Sequence, residues 1–154
     1  VLEIHTDSIT AEYNGTANHA ASSSEVYQQV VGEFHLAIRG GWYMISPPFI
    51  VGDYAASSLF PTASSDAFLY ERHYLPSPEM ANGRGVWLKF DSAQSVTLDG
   101  SLLSIDSLHV VRGWNMIGSL STAVGVGQVT SIPSGMSHSA FYTYDGPDYV
   151  VATE

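Results

Sequence analysis

The segment Leu36-Ala-Ile-Arg-Gly-Gly-Trp42-Tyr-Met-Ile-Ser46 returns later in the chain as Leu108-His-Val-Val-Arg-Gly-Trp114-Asn-Met-Ile-Gly118. A second pair of similar segments, Ser65-Asp-Ala-Phe-Leu-Tyr70 and Ser139-Ala-Phe-Tyr-Thr-Tyr144, has nearly the same spacing. A repeated strand-turn-strand element of this length indicates duplication of a β unit. The sequence therefore predicts an all-β fold with two related β-sandwich-like units that arose by internal duplication.

The repeats also predict how the chain is divided. Residues 1–39 are expected to form an N-terminal strand extension with its connection, residues 40–107 the first unit, and residues 108–154 the second. The second unit lacks a counterpart of Gly85-Val-Trp87 and is therefore expected to be incomplete. A missing strand would leave unpaired backbone groups at a sheet edge, which proteins rarely leave uncovered.

Short runs rich in Val, Ile, Tyr, Phe and Thr recur between clusters of turn-forming residues, which is typical of β-strands. Phe34, Leu36 and Ile38 alternate with more polar neighbours and predict a strand with one buried face. Residues 22–31 are ambiguous because they begin with a helix-capping pattern, although a strand is preferred. The predicted strands are residues 2–13, 26–38, 42–45, 67–72, 86–90, 95–98, 108–111, 114–117, 140–144 and 149–152.

The composition excludes several classes of partner and location. Fifteen acidic and five basic side chains give a formal net charge of -10, which repels nucleic acids and anionic lipid surfaces. No apolar run approaches the roughly 20 residues that cross a bilayer, so membrane insertion is not expected. The absence of cysteine excludes disulfides and is compatible with secretion by bacteria. The chain begins without Met and without a basic signal segment, which favours a mature, exported segment.

Two motifs resemble a known family. Residues 113–118 are Gly-Trp-Asn-Met-Ile-Gly, and residues 83–89 are Gly-Arg-Gly-Val-Trp-Leu-Lys. They resemble the repeated Gly-Trp-Asn modules, with a Gly-x-Gly-Tyr-Trp-Val-Lys strand, that lie near the C-terminal ends of large secreted proteins of Bacteroidetes-type bacteria. The resemblance covers about residues 40–154, with Tyr43 in place of Asn and Val86 in place of Tyr. It implies an accessory β domain, beside enzymes, adhesins or a type IX secretion sorting domain, that has no catalytic activity of its own.

No pattern in the sequence predicts a catalytic, cofactor-binding or metal site. The six His residues lack the spacing of a zinc site, and no Gly-x-Ser-x-Gly pentapeptide marks a nucleophile. Carboxylates such as Glu33 and Asp66 could pair across strands as in a glycosidase, but their spacing specifies no pair. Calcium binding by acidic turn residues stays open, and the residues concerned are Asp99, Asp106, Asp145 and Asp148.

Aromatic and apolar residues supply the binding and assembly hypotheses. The three Trp residues are predicted to be buried structural anchors of strands, namely Trp42, Trp87 and Trp114. A Tyr cluster is predicted to be partly exposed as a surface for a partner or glycan, and consists of Tyr70, Tyr74, Tyr142, Tyr144 and Tyr149. The N-terminal segment is predicted to be a free strand for self-association, through Leu2, Ile4, Ile9 and Tyr13.

These observations favour a non-enzymatic structural or interaction module that is extracellular or at the cell surface. In the leading hypothesis, free N-terminal strands complete the second unit of neighbouring copies and build a surface filament. The partners would then be other copies of the chain or neighbouring domains of a larger surface protein. The alternative is a carbohydrate-binding accessory domain of a secreted hydrolase or adhesin, with exposed Tyr residues against sugar rings.

Overall fold

The computed structural model describes residues 1–136, 139–144, 146 and 148–153. The described chain is mostly β, which confirms the predicted fold class at that level. Its elements are β1 Leu2–Ile9, β2 Glu12–Tyr13, β3 Ser22–Ser23, β4 Tyr27–Ile38, β5 Gly41–Ile45, β6 Phe49–Ile50, α1 Ala56–Leu59, β7 Phe68–Tyr70, β8 Tyr74–Pro76, β9 Val86–Phe90, β10 Gln94–Leu102, a short 3-10 helix Val126–Gln128, β11 Tyr142–Tyr144 and β12 Tyr149–Val151.

The N-terminal strands belong to the first antiparallel sheet, whose strand order is β1-β4-β10-β6. β1 pairs with β4 along its whole length, starting with Leu2 opposite Phe34. The prediction of a free N-terminal strand is therefore wrong, and the packing of Leu2 against the core gives the reason that the strand binds its own chain. Because β4 lies between β1 and β10, the two long strands of residues 1–39 belong to this sheet.

The hairpin formed by β1 and β4 continues beyond the rest of the sheet. β2 pairs with β3 and carries the same antiparallel hairpin outward. β10 pairs with β4 only from Val31 onward, so no strand of the described residues lies beside the outer part of the hairpin on that side. Of the residues predicted to mediate self-association, Leu2 packs against the core, whereas Ile4, Ile9 and Tyr13 are exposed.

β9 lies inside the second antiparallel sheet, whose strand order is β5-β9-β7-β8. In its pairing with β5, Trp87 is opposite Met44, and Val86 is opposite Ile45. Successive side chains of a strand point to opposite faces of the sheet. The sheet therefore has one face that carries Trp87 and another that carries Val86 and Phe90.

Both sheets contribute to one hydrophobic core. Alternate residues of β4, β5, β9 and β10 point into it, as the period of a strand with one buried face requires. The core residues of these four strands are Ile38, Ile45, Val86, Leu88, Phe90, Val96 and Leu98. Phe49 on β6, Ala56 on α1 and three residues of connecting segments, Phe60, Ala67 and Met80, complete the core. The face of the second sheet that carries Trp87 is left outside this core.

The second Gly-Trp segment does not form the strands that the sequence predicts. Residues 108–111 and 114–117 lie outside the strands listed above, and Ile117 forms only an isolated bridge with Arg84. β9 already has β5 on one edge and β7 on the other, so neither edge of β9 is open to this segment. Conversely, β6, β8 and α1 have no counterpart in the prediction, because they are too short to show a period.

The two Gly-Trp turns share a local hydrogen-bond pattern. In the first turn, the backbone N–H of Arg39 donates to the hydroxyl of Tyr43 at 2.6 Å. In the second, the backbone N–H of Val111 donates to Oδ1 of Asn115 at 3.0 Å. The accepting side chain follows the Trp directly in both turns. Different residue types therefore satisfy the same backbone donor at the same repeat position.

Two hairpins each have a contact between two Tyr rings at the end where their strands are joined. In β7–β8, Tyr70 lies opposite Tyr74, and the ring centroids are 5.2 Å apart. In β11–β12, Tyr144 lies opposite Tyr149, with centroids 5.6 Å apart. Both ring pairs meet edge to face, which is a favourable geometry for aromatic side chains.

Candidate aromatic binding site

The face of the second sheet that lies away from the core carries aromatic side chains from four strands. Trp42 on β5 and Trp87 on β9 share this face because of the alternation along their strands. Phe68 on β7 is paired directly with Trp87, and Tyr74 on β8 borders the same surface. The rings of Trp42 and Phe68 are tilted and have centroids 6.3 Å apart, which is within the range of favourable aromatic pairs.

The β11–β12 hairpin lies over part of this face. The ring of Tyr144 meets Trp87 edge to face with centroids 4.8 Å apart, and Tyr149 packs on the other side of Tyr144. This cover explains why Trp87 is only 9% exposed although it points away from the core. A further contact, between Tyr142 and Trp114 at 5.9 Å, fixes the hairpin from outside.

Six aromatic side chains enclose a groove of about 440 Å³, a volume within the range of small-ligand sites. We call it the aromatic groove, and its lining residues are Trp42, Phe68, Tyr74, Trp87, Tyr144 and Tyr149. None of these side chains is charged at neutral pH, and their polar atoms are phenol hydroxyls and indole N–H groups. The groove thus offers flat apolar ring faces with hydrogen-bonding groups at the ring edges.

The surroundings of Tyr149 raise the pKa of its phenol. Burial raises the pKa of Tyr149 above its ordinary value, and the neighbouring phenols of Tyr74 and Tyr144 raise it further. A protonated phenol can donate one hydrogen bond and accept others. Tyr149 can therefore serve either kind of polar group on a ligand.

No family model, curated protein or solved structure matches the chain. The resemblance to Gly-Trp-Asn modules accordingly stays a prediction. Because one fold can carry many functions, the chemistry of the aromatic groove has to support any functional inference.

The structure brings together part of the Tyr cluster that the sequence singles out. Tyr74, Tyr144 and Tyr149 line the aromatic groove. Tyr70 packs against the ring of Tyr74, and Tyr142 lies outside the groove. The cluster forms because each hairpin places two Tyr residues opposite each other and one hairpin lies over the sheet that contains the other.

The prediction that all three Trp residues are buried is wrong for two of them. Trp42 is 42% exposed and Trp114 is 64% exposed, whereas Trp87 is buried. Trp42 lies on an edge strand and points away from the core, and Trp114 precedes a segment that belongs to no sheet of the described residues. Sequence reasoning missed Trp42 as a groove residue. Its alternation with Tyr43 and Ile45, which pack in or against the core, is the signal that could have identified it.

A second concave surface lies on the first sheet and has a volume of about 480 Å³. It is polar, and its lining includes His5, Glu33 and Asp99. Glu33 lies directly opposite Asp99, and its carboxylate is 3.3 Å from the ring of His35. The side chain of Glu33 is 35% exposed, so this surface does not exclude water as an enclosed catalytic site does.

Metal and membrane hypotheses gain no structural support. Within the described residues, no group of three or more His, Asp and Glu side chains is placed to bind a metal ion. Asp145, one of the four residues considered for calcium, lies outside the described residues. None of the described helices is long and apolar enough to cross a membrane.

Proposed function

We propose that the chain is a non-enzymatic extracellular interaction module that binds carbohydrate in the aromatic groove. The observation that carries the proposal is the convergence of six aromatic side chains on one concave surface outside the hydrophobic core. Contiguous apolar surface that stays accessible to solvent is characteristic of binding sites. The groove has the volume of a small-ligand site, and two of its lining residues, Trp42 and Trp87, come from strands that also contribute to the core.

The chemistry of the groove suits a sugar ring. A pyranose has an apolar face of C–H groups and a rim of hydroxyls. Trp42 supplies an accessible aromatic face, and Tyr74 and Tyr149, which also line the groove, carry hydroxyls. The lining contains no charged side chain, which favours a neutral sugar over a charged one.

We infer that the module consists of two units related by duplication. The inference is supported by the repeated sequence segments, by the shared hydrogen bond across the two Gly-Trp turns, and by the Tyr pair that closes each hairpin. Independent segments would have no reason to share all three features. The two units then differ in their surroundings. Within the described residues, the four-stranded second sheet belongs to the first unit, and the second unit has the two-stranded hairpin β11–β12.

Affinity electrophoresis against a panel of neutral polysaccharides tests the carbohydrate proposal, followed by calorimetric titration with the best soluble oligosaccharide. The substitution Trp42→Ala removes an accessible ring face without removing a core residue. We expect it to weaken sugar binding by about tenfold or more, which corresponds to about 1.4 kcal/mol. The matched control is Tyr27→Ala, which removes an exposed aromatic side chain from β4 and should leave the affinity unchanged.

Two results would contradict the carbohydrate proposal. One is the absence of retardation on every polysaccharide, and the other is a sugar affinity that Trp42→Ala leaves unchanged. Choline belongs in the titration because aromatic cages also bind quaternary ammonium groups. Binding of choline without binding of any sugar would assign the groove to a cationic ligand instead.

A second candidate function is assembly through the N-terminal hairpin. β1 is an edge strand, and no strand of the described residues pairs with its outer edge. Its exposed Ile4 and Ile9 add apolar surface to an edge that another copy could extend. Deletion of residues 1–13 should abolish assembly in light scattering and electron microscopy, and unchanged assembly would rule out this role for β1.

A further inference from the structure

Within the second sheet, β9 fills the space between β5 and β7. In an antiparallel pair, alternate residues direct their backbone groups at one neighbouring strand, and the residues between them direct theirs to the other side. The N–H of Ser77 donates to the carbonyl of Ala67 at 2.8 Å, so the next residue of that strand, Phe68, turns its backbone away from β8. Phe68 accordingly pairs with Trp87 on β9.

The β11–β12 hairpin has the same alternation of backbone hydrogen bonds as the β7–β8 hairpin. The N–H of Ala152 donates to the carbonyl of Phe141 at 2.9 Å. By the same alternation, Tyr142 and Tyr144 direct their backbone groups away from β12. No strand of the described residues pairs with this edge of β11. The second hairpin thus presents the edge that β7 presents to β9, and no strand of the described residues is hydrogen-bonded to it.

Residues 114–118 present a second edge of the same kind. The carbonyl of Met116 and the N–H of Gly118 form hydrogen bonds with the loop that precedes β9, at 3.2 Å and 2.8 Å. These bonds use one edge of the segment. The alternation directs the backbone groups of Asn115 and Ile117 to the opposite edge, where no described strand pairs with them.

This opposite edge corresponds to the edge of β5 on which β9 lies. Asn115 and Ile117 occupy the repeat positions of Tyr43 and Ile45. In β5, Tyr43 and Ile45 are the residues whose backbone groups point to β9. The reason is that Trp87 of β9 directs its own backbone groups to the other side, where β7 lies. Both edges that hold β9 in the first unit therefore have counterparts in the second.

The aromatic contact between the two flanking segments is also repeated. Trp42 and Phe68 have ring centroids 6.3 Å apart, although β9 lies between their strands. Trp114 and Tyr142 have centroids 5.9 Å apart. A ring contact of this length is therefore compatible with a strand between the two segments.

We propose that the second unit binds one extended β-strand, supplied by a neighbouring repeat unit, between residues 114–118 and β11. The sequence of β9 specifies the chemistry of this strand. It begins after a small residue, as β9 does after Gly85, and it places an aromatic residue opposite Tyr142, as Trp87 is opposite Phe68. Main-chain hydrogen bonds supply the affinity, and the alternation of side chains supplies the specificity.

A fluorescently labelled peptide with the sequence of residues 83–90 tests the proposal, titrated with the full chain and followed by anisotropy. The control peptide has the same composition in a scrambled order that destroys the alternation, so that its charge is unchanged. We expect the first peptide to bind at least about tenfold more tightly than the second. Binding should also slow hydrogen exchange at the amides of Asn115, Ile117, Tyr142 and Tyr144.

A pair of variants tests the predicted edge directly. Tyr142→Pro removes a backbone N–H that points away from β12 and should weaken peptide binding by about tenfold or more. Tyr142→Val keeps that N–H and should bind the peptide nearly as well as the unchanged chain. Equal binding of the two peptides would overturn the proposal. Exchange protection confined to other strand edges, such as those of β1 or β8, would also overturn it, and this mapping requires no variant.

Discussion

Residues 41–90 and residues 113–151 share local features in very different surroundings. In the first region, Phe90 is fully buried and forms part of the core. In the second, Trp114 is 64% exposed and Tyr149 is 57% exposed. The Gly-Trp turn and the Tyr-closed hairpin form in both regions, so these features need only local sequence. Burial differs, so it depends on what packs against each region.

The first region packs against the first sheet. Ile38 from β4 and Leu98 from β10 complete the core against β5 and β9. The second region is joined to the rest of the described chain by smaller contacts, such as the buried hydroxyl of Ser121, which donates to the carbonyl of Pro48 at 2.6 Å. We therefore expect the first region to hold most of the free energy of unfolding.

The largest difference between the two regions should come from removing one aromatic ring from each. Phe90→Ala leaves a cavity beside Tyr43 and Phe60, and should lower the free energy of unfolding by about 4 kcal/mol. Tyr142→Ala removes a half-exposed ring that packs on Trp114 and should cost only about 1 kcal/mol. Denaturant unfolding followed by circular dichroism measures both. Equal costs would show that the second region is as much a part of the core as the first.

The same comparison shows which parts of the structure the sequence could predict. Alternation along β4 correctly predicts that Phe34, Leu36 and Ile38 pack on the core side, because a strand has a fixed period. The local context of Trp42 and Trp114 is nearly identical, yet Trp42 lies on β5 and Trp114 lies outside the described strands. Their exposure depends on which strands pair, and pairing is a tertiary property.

The candidate site was predictable to a similar extent. The spacing of the Tyr residues pointed to a surface, and three of them meet in the aromatic groove. Trp42 could have been added through its alternation with Tyr43 and Ile45, whereas Phe68 and Trp87 could not be added from sequence alone. Their part in the groove depends on how the β11–β12 hairpin lies over β9, as the contact between Tyr144 and Trp87 shows.

Two Asn side chains sharpen the comparison because each forms three hydrogen bonds. In the first region, the amide of Asn82 donates to the carbonyls of Pro47 and Phe49, at 3.0 Å and 2.7 Å, and its oxygen accepts from the hydroxyl of Tyr54. Asn115 bonds Val111 twice and Gly113 once, in a more exposed turn.

Replacing each Asn by Ala should therefore have unequal effects. Asn82→Ala leaves partly buried carbonyls without donors and should lower the free energy of unfolding by about 3 kcal/mol. Asn115→Ala should cost about 1 kcal/mol or less, because water can replace exposed hydrogen bonds. Thermal and denaturant unfolding of both variants provide the measurement. A larger cost for Asn115→Ala would reverse the expected order of the two regions.

Two glycines test whether the turns themselves are equivalent. Gly41 and Gly113 have φ values of 128° and 108°, and a Cβ added at either position would meet nothing within 4 Å. Ala at either position should cost about 1–2 kcal/mol through backbone strain alone. Gly41→Ala should show this cost in global unfolding, whereas Gly113→Ala should show it in faster local hydrogen exchange around Asn115. A cost at only one of the two glycines would argue against equivalent turns.

The smallest expected effect concerns the ionisation of Tyr149. Burial, together with the phenols of Tyr74 and Tyr144, raises the pKa of Tyr149 above its ordinary value near 10 in the folded chain. Since the folded state holds this proton more tightly, the contribution to stability is complete below pH 10 and is lost as the pH rises through the raised pKa.

Ultraviolet titration of phenolate should show a late step that Tyr149→Phe removes and Tyr27→Phe leaves in place. In Tyr74→Phe the step should move towards lower pH, because one of the groups that raise the pKa of Tyr149 is gone. A titration without this late step would mean that the β11–β12 hairpin does not stay packed over β9, and the aromatic groove would then lose one of its two sides.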